Sequence, residues 1–460
     1  MDRYRQNYWS LYYKFITDFQ SLTYKGYQLN LLTHFPSLIR GNQALWLQFK
    51  ESTFSKRFPH LVTQESEIQQ IYNHALTLKC KKQNKKDETR PIVIWQDQLI
   101  RLPKNMLEEY FPSKKIMTVY TTSYEGASVY LEDYLVKEPL DAINKVHHQL
   151  ESIFKRYKHD PVYNEISFQH MLRKKLAFVI RQIEMTEHFI QTVNPSCVII
   201  SSPNHFGRIA AFVASRYAIP TISLQHGIIG NEFGFIPKVA TIDALYGRWE
   251  VDWYVSKGAV PSSLAIIGHP RFDQANEKPS ITKQQLYDRL HLNTERKSML
   301  IIVRGERQVH KWKLFIDKLK ANMNLNIIVR DYKATETHPL VKQYPSVKSS
   351  EDIGLYDLLL HVDIVVSYQS TVALEAMLTN KPTFMMQSPL PSYSGYYNKL
   401  QPLVQSNPTK LAELVIQFFQ KKSFQKYCKK VQMDFLQQAY PDRSSSSKRL
   451  VQLIEQIIQG

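Results

Sequence analysis

The sequence predicts an α/β protein with two doubly wound domains that face one cleft. Between about residues 91 and 390, short apolar segments alternate with segments whose apolar residues recur at helical spacing. A polar stretch at 274–280 interrupts this alternation and divides it into two halves. Repeated β-α alternation forms a parallel sheet with helices on both faces, so each half predicts one Rossmann-like domain.

The first ninety residues are basic and aromatic and have a helical pattern. Tyr8, Tyr12, Ile16 and Phe19 recur at the spacing of one helical face. Such a face either packs into a core or lies on a membrane surface, and we favour core packing. The charge run at 81–88 predicts a solvated loop.

The elements of the two halves follow from the period of their apolar residues and from Gly and Pro breaks. A helical pattern at 131–191, broken near Pro161, separates the second and third strands. The expected strands of the first half are 92–95, 116–120, 197–200, 221–224, 240–246 and 264–267, with a helix at 206–217. The second half predicts strands 299–303, 326–329, 363–366 and 382–386, and helices 309–323, 355–361 and 371–378.

We predict three regions from this order of elements. Residues 1–273 form an N-terminal, acceptor-side domain with a Rossmann-like core from about 91, and residues 274–437 form a nucleotide-donor domain. A helical tail covers 438–460, including a helix at 450–458. The serine run at 444–447 predicts a low-complexity spacer before that helix.

Composition limits the class of protein and its partners. The net charge of +18 predicts an anionic partner, which could be nucleic acid, a phosphate-rich substrate or an anionic membrane. Cys80, Cys197 and Cys428 lie far apart without a CxxC motif, so neither a disulfide framework nor a zinc site is expected. The chain has no signal peptide and no apolar run that could span a bilayer, which predicts a cytoplasmic protein.

His226 follows the predicted strand 221–224 and is followed at once by Gly227. Ligands of an open α/β sheet bind at the carboxyl ends of its strands. A histidine there can exchange a proton near neutral pH, which predicts a general base. The alternative is a histidine that caps a turn and hydrogen-bonds the backbone.

Charged residues also follow two strands of the second half. Arg304 follows strand 299–303, and Arg330 and His338 follow strand 326–329. Because these ends share one edge of the sheet, the sequence predicts a pocket for a polyanion such as a nucleotide diphosphate.

Ser370 and Thr371 stand where strand 363–366 gives way to an almost wholly apolar helix. Free amides and the two hydroxyls could hold a phosphate there, and Glu375, the only charge on that helix, could accept hydrogen bonds from a ribose. The structural alternative is that Ser370 is an ordinary N-cap and Glu375 has a protein partner.

These motifs together resemble a family. His226-Gly227, the stretch Gly268-His269-Pro270-Arg271-Phe272-Asp273, Arg330 with His338-Pro339, and Ser370-Thr371 resemble the GT-B transferases of bacterial surface polymers. The similarity is to the teichoic-acid (CDP-glycerol) glycerophosphotransferase and spore-coat polysaccharide group. It covers about residues 195–390. The hinge motif, with Gly268, Pro270, Arg271 and Asp273, is its most specific part.

The resemblance implies that the first domain receives the acceptor and the second the nucleotide-activated donor. It implies that His226 is the catalytic base and that His338, Ser370 and Thr371 contact the donor phosphate. This chain has Ile228 and Tyr368 where the family has Thr and an acidic residue, and extra residues at 331–337. A sugar is therefore at least as well supported as glycerol phosphate.

We therefore expect a metal-independent transferase that moves a glycosyl group from a nucleotide donor to a bacterial surface polysaccharide, with Arg304 and Arg330 neutralising the leaving phosphate. The alternatives are a CDP-glycerol-type glycerophosphotransferase, a UDP-N-acetylhexosamine 2-epimerase-like enzyme and a non-catalytic polyanion-binding protein. No cofactor, no metal and no nucleic-acid partner are expected. A lipid-linked acceptor would bring the protein to the inner face of an anionic membrane.

Overall fold

The computed structural model describes residues 1–77, 90–97, 99–100, 102–110, 116–121, 129–331, 336–350, 352–389 and 391–459. Two six-stranded sheets with helices on their faces make up its centre. The predicted fold class, two doubly wound domains, is confirmed.

The strands of the described residues belong to one small hairpin and the two large sheets. They are β1 (Thr23–Tyr24), β2 (Tyr27–Gln28), β3 (Ile92–Gln96), β4 (Ile116–Tyr120), β5 (Cys197–Ile200), β6 (Thr221–Leu224), β7 (Ile242–Leu245), β8 (Leu264–Ile266), β9 (Ser298–Val303), β10 (Asn326–Asp331), β11 (Val347–Ser349), β12 (Ile364–Tyr368), β13 (Thr383–Met386) and β14 (Val404–Gln405).

The α-helices surround these sheets and form the N-terminal region. They are α1 (Arg3–Asp18), α2 (Leu29–Leu32), α3 (Phe35–Ile39), α4 (Gln43–Gln48), α5 (Ser66–Thr77), α6 (Lys104–Tyr110), α7 (Leu140–Arg156), α8 (Ile166–Val193), α9 (His205–Arg216), α10 (Arg248–Ser256), α11 (Lys283–Arg289), α12 (Val309–Lys320), α13 (Pro339–Gln343), α14 (Leu355–His361), α15 (Thr371–Leu378), α16 (Pro408–Gln420), α17 (Lys422–Ala439) and α18 (Ser446–Gln459).

Both large sheets are parallel throughout. The first has the order β4-β3-β5-β6-β7-β8, and the second has the order β11-β10-β9-β12-β13-β14. The strands expected from the sequence are confirmed, because nearly continuous runs of buried apolar residues mark strands covered on both faces. The short strands β1, β2, β11 and β14 were not expected, since two or three residues give no periodic signal.

Residues 1–77 form a helical layer, called here the N-terminal layer, against the first sheet and its helices. Tyr8, Tyr12, Ile16 and Phe19 are all buried, within one core that also contains residues of β3 and β5. The prediction of core packing for this face is confirmed. Burial of so many aromatic rings makes the layer part of the first domain's core, since each ring removes a large apolar area from water.

The last helix, α18, returns from the second half of the chain to the first sheet. Leu450 and Ile454 are buried in the core that contains residues of β3, β5 and β6. Ser446 and Ser447 are buried in the first turn of α18. The prediction of a low-complexity spacer at 444–447 is therefore wrong, because half of that run is packed helix. The predicted division at residue 273 stays a prediction.

Other predictions concern cysteines, charge and hydropathy. Cys197 and Cys428 are buried free thiols, and burial raises the pKa of each to about 12. Cys80 and the charge run at 81–88 lie outside the described residues. In the part of the chain that the structure describes, no helix combines the length and the apolar character needed to cross a membrane.

Candidate functional site

His226 lies directly beyond the carboxyl end of β6, where the sequence predicts it. Its Nδ1 is 3.2 Å from the carbonyl oxygen of Ser201, which follows β5. Because a carbonyl can only accept, Nδ1 donates its proton in this bond, so that a neutral ring has its lone pair on Nε2. The ring also stacks on Phe235, with centroids 4.7 Å apart and planes 5° apart. These two contacts give the half-buried imidazole a fixed orientation.

His226 is the second residue of the β6–β7 loop, residues 225–241. The side chain of Gln225 fixes the start of this loop, since its Nε2 donates to the Gly227 carbonyl (2.9 Å) and its Oε1 accepts from the Tyr246 amide (3.1 Å). Gly234 lies beside the imidazole, and a side-chain carbon there would be 4.0 Å from Nε2. The glycine leaves space next to the basic nitrogen.

The β6–β7 loop also contacts the second domain. The Ile228 amide donates to Thr371 Oγ1 at 3.2 Å, and Thr371 is the first residue of α15. Ser394 donates from its amide to the Gly230 carbonyl at 3.1 Å and from its hydroxyl to the Ile229 carbonyl. Two regions that the sequence predicts separately, the histidine loop and the Ser370-Thr371 helix terminus, therefore meet across the cleft.

A cavity of about 610 Å³, called here the cleft cavity, opens beside this contact. Its lining comes from both domains: Ile228, Gly230 and Asn231 from the loop, and Arg304, Arg307, Tyr368, Ser370 and Thr371 among the residues of the second domain. Arg304 and Arg307 are both exposed, as the prediction of cations after β9 requires. His226 is not among the lining residues, and its ring lies on the first-domain side of the contact.

Ser370 occupies the N-cap position of α15 without capping it. Its hydroxyl is 3.0 Å from the Ser367 hydroxyl and makes no hydrogen bond to the first-turn amides. Its carbonyl accepts from the Tyr397 hydroxyl at 2.6 Å. A helix whose N-cap side chain does not use the first-turn amides keeps its positive dipole end available to an anion.

A second cavity of about 480 Å³, called here the Glu375 cavity, lies along the same edge of the second sheet. Tyr368 lines both cavities. Glu375 is 2% exposed, and its carboxylate accepts from Arg271 Nη2 at 3.1 Å and from the Tyr356 hydroxyl at 2.9 Å. The predicted carboxylate on an apolar helix thus has two protein partners and still borders the cavity, where one more hydroxyl could reach its oxygens.

Arg330 lines the Glu375 cavity from the end of β10. Its Nη1 donates to the carbonyls of Ser350 (3.1 Å) and Ile353 (2.6 Å), which fixes the guanidinium. Burial lowers the pKa of Arg330, while the negative charge of Glu375 raises it. Within the described residues no carboxylate is in ion-pair contact with Arg330, so an anionic ligand would supply a favourable partner.

His338 is buried and lies outside the lining of both cavities. Its Nδ1 accepts from the Leu340 amide at 3.2 Å, as the N-cap of α13, and its Nε2 is 3.1 Å from the Gly305 carbonyl. Both ring nitrogens therefore have backbone partners. These contacts hold the turn next to Arg304, which ties the position of that cation to His338.

The hinge motif links three parts of the chain. Gly268 has φ +73°, and a side-chain carbon there would be 2.2 Å from the Tyr440 hydroxyl, so only glycine fits. Pro270 is buried in the first turn of the 3₁₀ helix Pro270–Asn276. Arg271 reaches Glu375 in the second domain. Asp273 accepts from the amides of Ser446 (2.8 Å) and Ser447 (2.9 Å) and so caps α18.

Several residues of the site were not predicted from the sequence. Tyr356 contributes through one hydrogen bond to Glu375, and Ser394 through two hydrogen bonds to the distant β6–β7 loop. Arg307 follows β9 in the same charged turn as Arg304, so the prediction of a polyanion pocket at this strand end includes it. The described residues contain no group of three or more His, Cys, Asp or Glu side chains that could hold a metal ion.

A comparison with protein-family models and with curated protein sequences finds no match to this chain. A comparison with solved structures finds similarity over most of its length. S. aureus MnaA in complex with UDP matches with a TM-score of 0.53 at 12% identity, over 81% of this chain and 97% of that one. The wall teichoic acid polymerase TagF soaked with CDPG matches with a TM-score of 0.50 at 12% identity, over 86% of this chain and 94% of that one.

The chain has the GT-B fold. UDP-GlcNAc 2-epimerase from Neisseria meningitidis, bound to UDP-GlcNAc, also matches, with a TM-score of 0.52 at 12% identity over 80% of this chain and 100% of that one. A teichoic acid polymerase is thus among the structures with this fold, as the sequence resemblance predicts. At such low identity the similarity establishes the fold, and the reaction has to be argued from the residues of the GT-B cleft.

Proposed function

We propose that this protein is an enzyme that transfers a glycosyl group from a nucleotide-activated donor to a bacterial surface polysaccharide, with His226 as general base. The observation that carries the proposal is the hydrogen bond between the Ile228 amide and Thr371 Oγ1. It joins the loop of a basic histidine to a helix terminus suited to phosphate, at the rim of one cavity. A base and an anion site at one cleft are the parts that such a transfer needs.

The donor would occupy the Glu375 cavity and the cleft cavity together. The nucleoside would lie in the Glu375 cavity, with a ribose hydroxyl donating to Glu375 and with Arg330 near the phosphates. The diphosphate would pass Tyr368 to the amino end of α15, where Thr371 and the exposed Arg304 could contact it. Those cations and the helix dipole would neutralise the leaving phosphate without a metal ion.

The acceptor hydroxyl would approach from the first domain. His226 Nε2 would remove its proton as the hydroxyl attacks the anomeric carbon, and the Ser201 carbonyl would stabilise the imidazolium through Nδ1–H. The bond between the anomeric carbon and the donor phosphate would break, and the nucleotide diphosphate would leave. His338 would act indirectly, through its bond to the Gly305 carbonyl next to Arg304.

Glycerol-phosphate transfer and epimerisation remain the competing reactions, and the similar structures carry CDPG, UDP-GlcNAc or UDP. A glycerophosphotransferase would release CMP from CDP-glycerol, whereas an epimerase would convert the donor's sugar to its C2 epimer without any acceptor, and a hydrolysing one would also release that sugar with the help of water. A non-catalytic polyanion-binding protein would do neither. The high net charge of +18 supports an anionic acceptor, which a free-standing epimerase does not require.

We also propose that the enzyme works at an anionic membrane surface. Helix α17 supports this, since Lys426, Lys429 and Lys430 are exposed and form no ion pair within the described part of the chain. Tyr427 and Met433 are 44% and 50% exposed on the same helix. Each lysine near an anionic surface contributes about 1 kcal/mol, and the two apolar side chains could enter the headgroup region.

Vesicle sedimentation tests the membrane surface. We expect binding to vesicles with anionic lipid and little binding to neutral ones, with loss of binding at high salt. Changing Lys426, Lys429 and Lys430 together to Glu should abolish it. The matched control changes three exposed lysines outside α17, those at positions 145, 155 and 158, and should bind as the wild type does. Equal recovery on neutral and anionic vesicles would contradict the proposal.

The reaction is tested by a thermal-shift panel of CMP, CDP, UDP, GDP and their sugar or glycerol conjugates, followed by product analysis. A ligand at 100 times its dissociation constant should stabilise the protein by roughly 2.7 kcal/mol. With the best donor, nucleotide release should require an acceptor polysaccharide. A C2-epimerised sugar formed without acceptor would favour the epimerase, and no stabilisation by any nucleotide would remove the enzyme proposal.

A further inference from the structure

A buried charged cluster lies beneath the β6–β7 loop, and Glu232 is at its centre. Glu232 is 1% exposed. Its Oε1 accepts from Lys257 Nζ at 2.9 Å and from Arg5 Nη1 at 3.2 Å, and its Oε2 accepts from the Trp9 indole nitrogen at 2.9 Å. One carboxylate therefore connects the β6–β7 loop to α1 of the N-terminal layer and to the end of α10.

Two cations and three carboxylates make up the cluster, since Arg5 also pairs with the exposed Asp2 at 2.9 Å. Lys257 also donates to Glu65 Oε1 at 2.8 Å, and Arg5 is 3.9 Å from the same oxygen. Glu65 and Glu232 thus face two cations. A buried ion cluster of this kind adds little stability over a well-packed apolar one, because desolvation offsets the attraction. Its directional bonds fix the partners in one arrangement.

A single turn of chain, residues 232–236, connects Glu232 to the aromatic ring that packs on His226. The Glu232 carbonyl accepts from the amides of Phe235 (3.0 Å) and Ile236 (3.1 Å). The ring of Phe235 then lies parallel to the imidazole of His226. The hydrogen bonds of the Glu232 carboxylate hold this turn in place. The turn then fixes the orientation of the Phe235 ring, against which the imidazole stacks.

The N-terminal layer holds the same loop at two further points. The ring of Tyr8 is 4.4 Å from that of Phe233. Gln69 of α5 makes two hydrogen bonds to the backbone of Lys238, at 2.8 Å to its amide and 3.0 Å to its carbonyl. The layer therefore contacts the loop at its middle and near its end, while the second domain contacts it at its start through Thr371.

We propose that Glu232 is a positioning residue for His226, and that the N-terminal layer serves the reaction by holding the β6–β7 loop through it. The proposal rests on the role of His226 given above. Trp9 and Arg5 bind Glu232 from the N-terminal layer, and Lys257 binds it from the end of α10. The first 77 residues thereby become part of the catalytic apparatus without contacting substrate.

Two variants test the connection without emptying the core. Trp9→Phe keeps an aromatic ring and removes the indole N–H that bonds Glu232. Glu232→Gln keeps the shape and removes the charge. Tyr27→Phe is the matched control, because it also keeps an aromatic ring in the same layer and removes a donor to a carboxylate, here Glu187 on α8 (2.9 Å) instead of Glu232.

The amide hydrogen-exchange rates of residues 226–236 measure how easily the β6–β7 loop opens, and the experiment needs no substrate. We expect exchange there to rise about tenfold or more in both variants, as the loss of a hydrogen bond to a charged group predicts, and to be unchanged in Tyr27→Phe. We expect kcat to fall by roughly ten- to a hundredfold, because small misplacement of a reacting group is costly, with KM for the donor unchanged. The acid limb of the kcat–pH profile should shift as well.

Two results would overturn the positioning role. One is loop exchange at the wild-type rate in both variants, and the other is faster exchange with normal kcat. Failure of the proposed function has a different signature: His226→Ala with normal turnover, whatever the exchange rates. If Glu232→Gln fails to fold, Trp9→Phe alone decides, because it leaves every charge of the cluster in place.

Discussion

Thr371→Val is the variant that most sharply separates a phosphate site from an ordinary helix end. Thr371 Oγ1 accepts from the Ile228 amide at 3.2 Å, so its O–H proton stays available to an anion in the cleft cavity. Losing a hydrogen bond to a charged group costs roughly 1.5–3 kcal/mol, which weakens nucleotide binding about ten- to a hundredfold. Without ligand, stability should fall by only about 1 kcal/mol, since the half-buried Ile228 amide loses one partner.

The assay is calorimetric titration of the best nucleotide into the wild type, into Thr371→Val and into two comparison variants. Thr379→Val makes the same change at the other end of α15, where the hydroxyl bonds the Ala376 carbonyl at 2.8 Å, and should leave affinity unchanged. Ser370→Gly should cost only a few tenths of a kcal/mol in stability, because its side chain does not cap the helix. An unchanged dissociation constant in Thr371→Val would move the phosphate away from α15.

Three further predictions concern stability. Arg271→Met should cost about 3–5 kcal/mol in chemical denaturation, because it leaves Glu375 buried without its cation, and adding Glu375→Gln should recover most of the loss. Gly268→Ala should cost about 1–3 kcal/mol, since its new carbon meets the Tyr440 hydroxyl at 2.2 Å. Burial raises the pKa of Glu250 from 4.5 to about 7, so wild-type stability relative to Glu250→Gln should fall by roughly 3 kcal/mol as pH rises through that window.

The sign of the Glu250 effect follows from proton binding. Between pH 4.5 and about 7 the folded chain keeps the Glu250 proton that the unfolded chain has lost. Raising the pH therefore ionises Glu250 in its buried site and destabilises the folded state. Above about pH 7 the difference in unfolding free energy between the wild type and Glu250→Gln becomes constant. Thermal melts of both proteins across this range measure it, and a difference independent of pH would contradict the buried, protonated carboxyl.

The sequence was sufficient to predict the longer strands and the residues at their ends. β5, β6 and β12 are covered on both faces, so their apolar runs stand out, and whatever follows them lies at the ligand edge by topology. Thr371 lines the cleft cavity for that reason, and His226 lies beyond the carboxyl end of β6. The period of side chains along one element needs no knowledge of its partners, which is why these predictions could be made locally.

What could not be predicted depends on partners far apart in the chain. Asp273 caps a helix that begins at Ser446, and Glu232 is held by Trp9, more than two hundred residues earlier. No local pattern distinguishes such side chains from solvated ones. His338 illustrates the same limit, since the expectation of a phosphate contact could not take account of the Gly305 carbonyl that occupies its Nε2.

The most direct test of the central claim is the turnover of His226→Ala with the best donor and an acceptor, measured beside its affinity for that donor. His188→Ala is the matched control. His188 lies on α8, and its Nδ1 also bonds a carbonyl, that of Tyr134 at 3.0 Å. The account predicts a kcat lower by about two to four orders of magnitude, with the donor dissociation constant unchanged. Near-normal kcat in His226→Ala would contradict it.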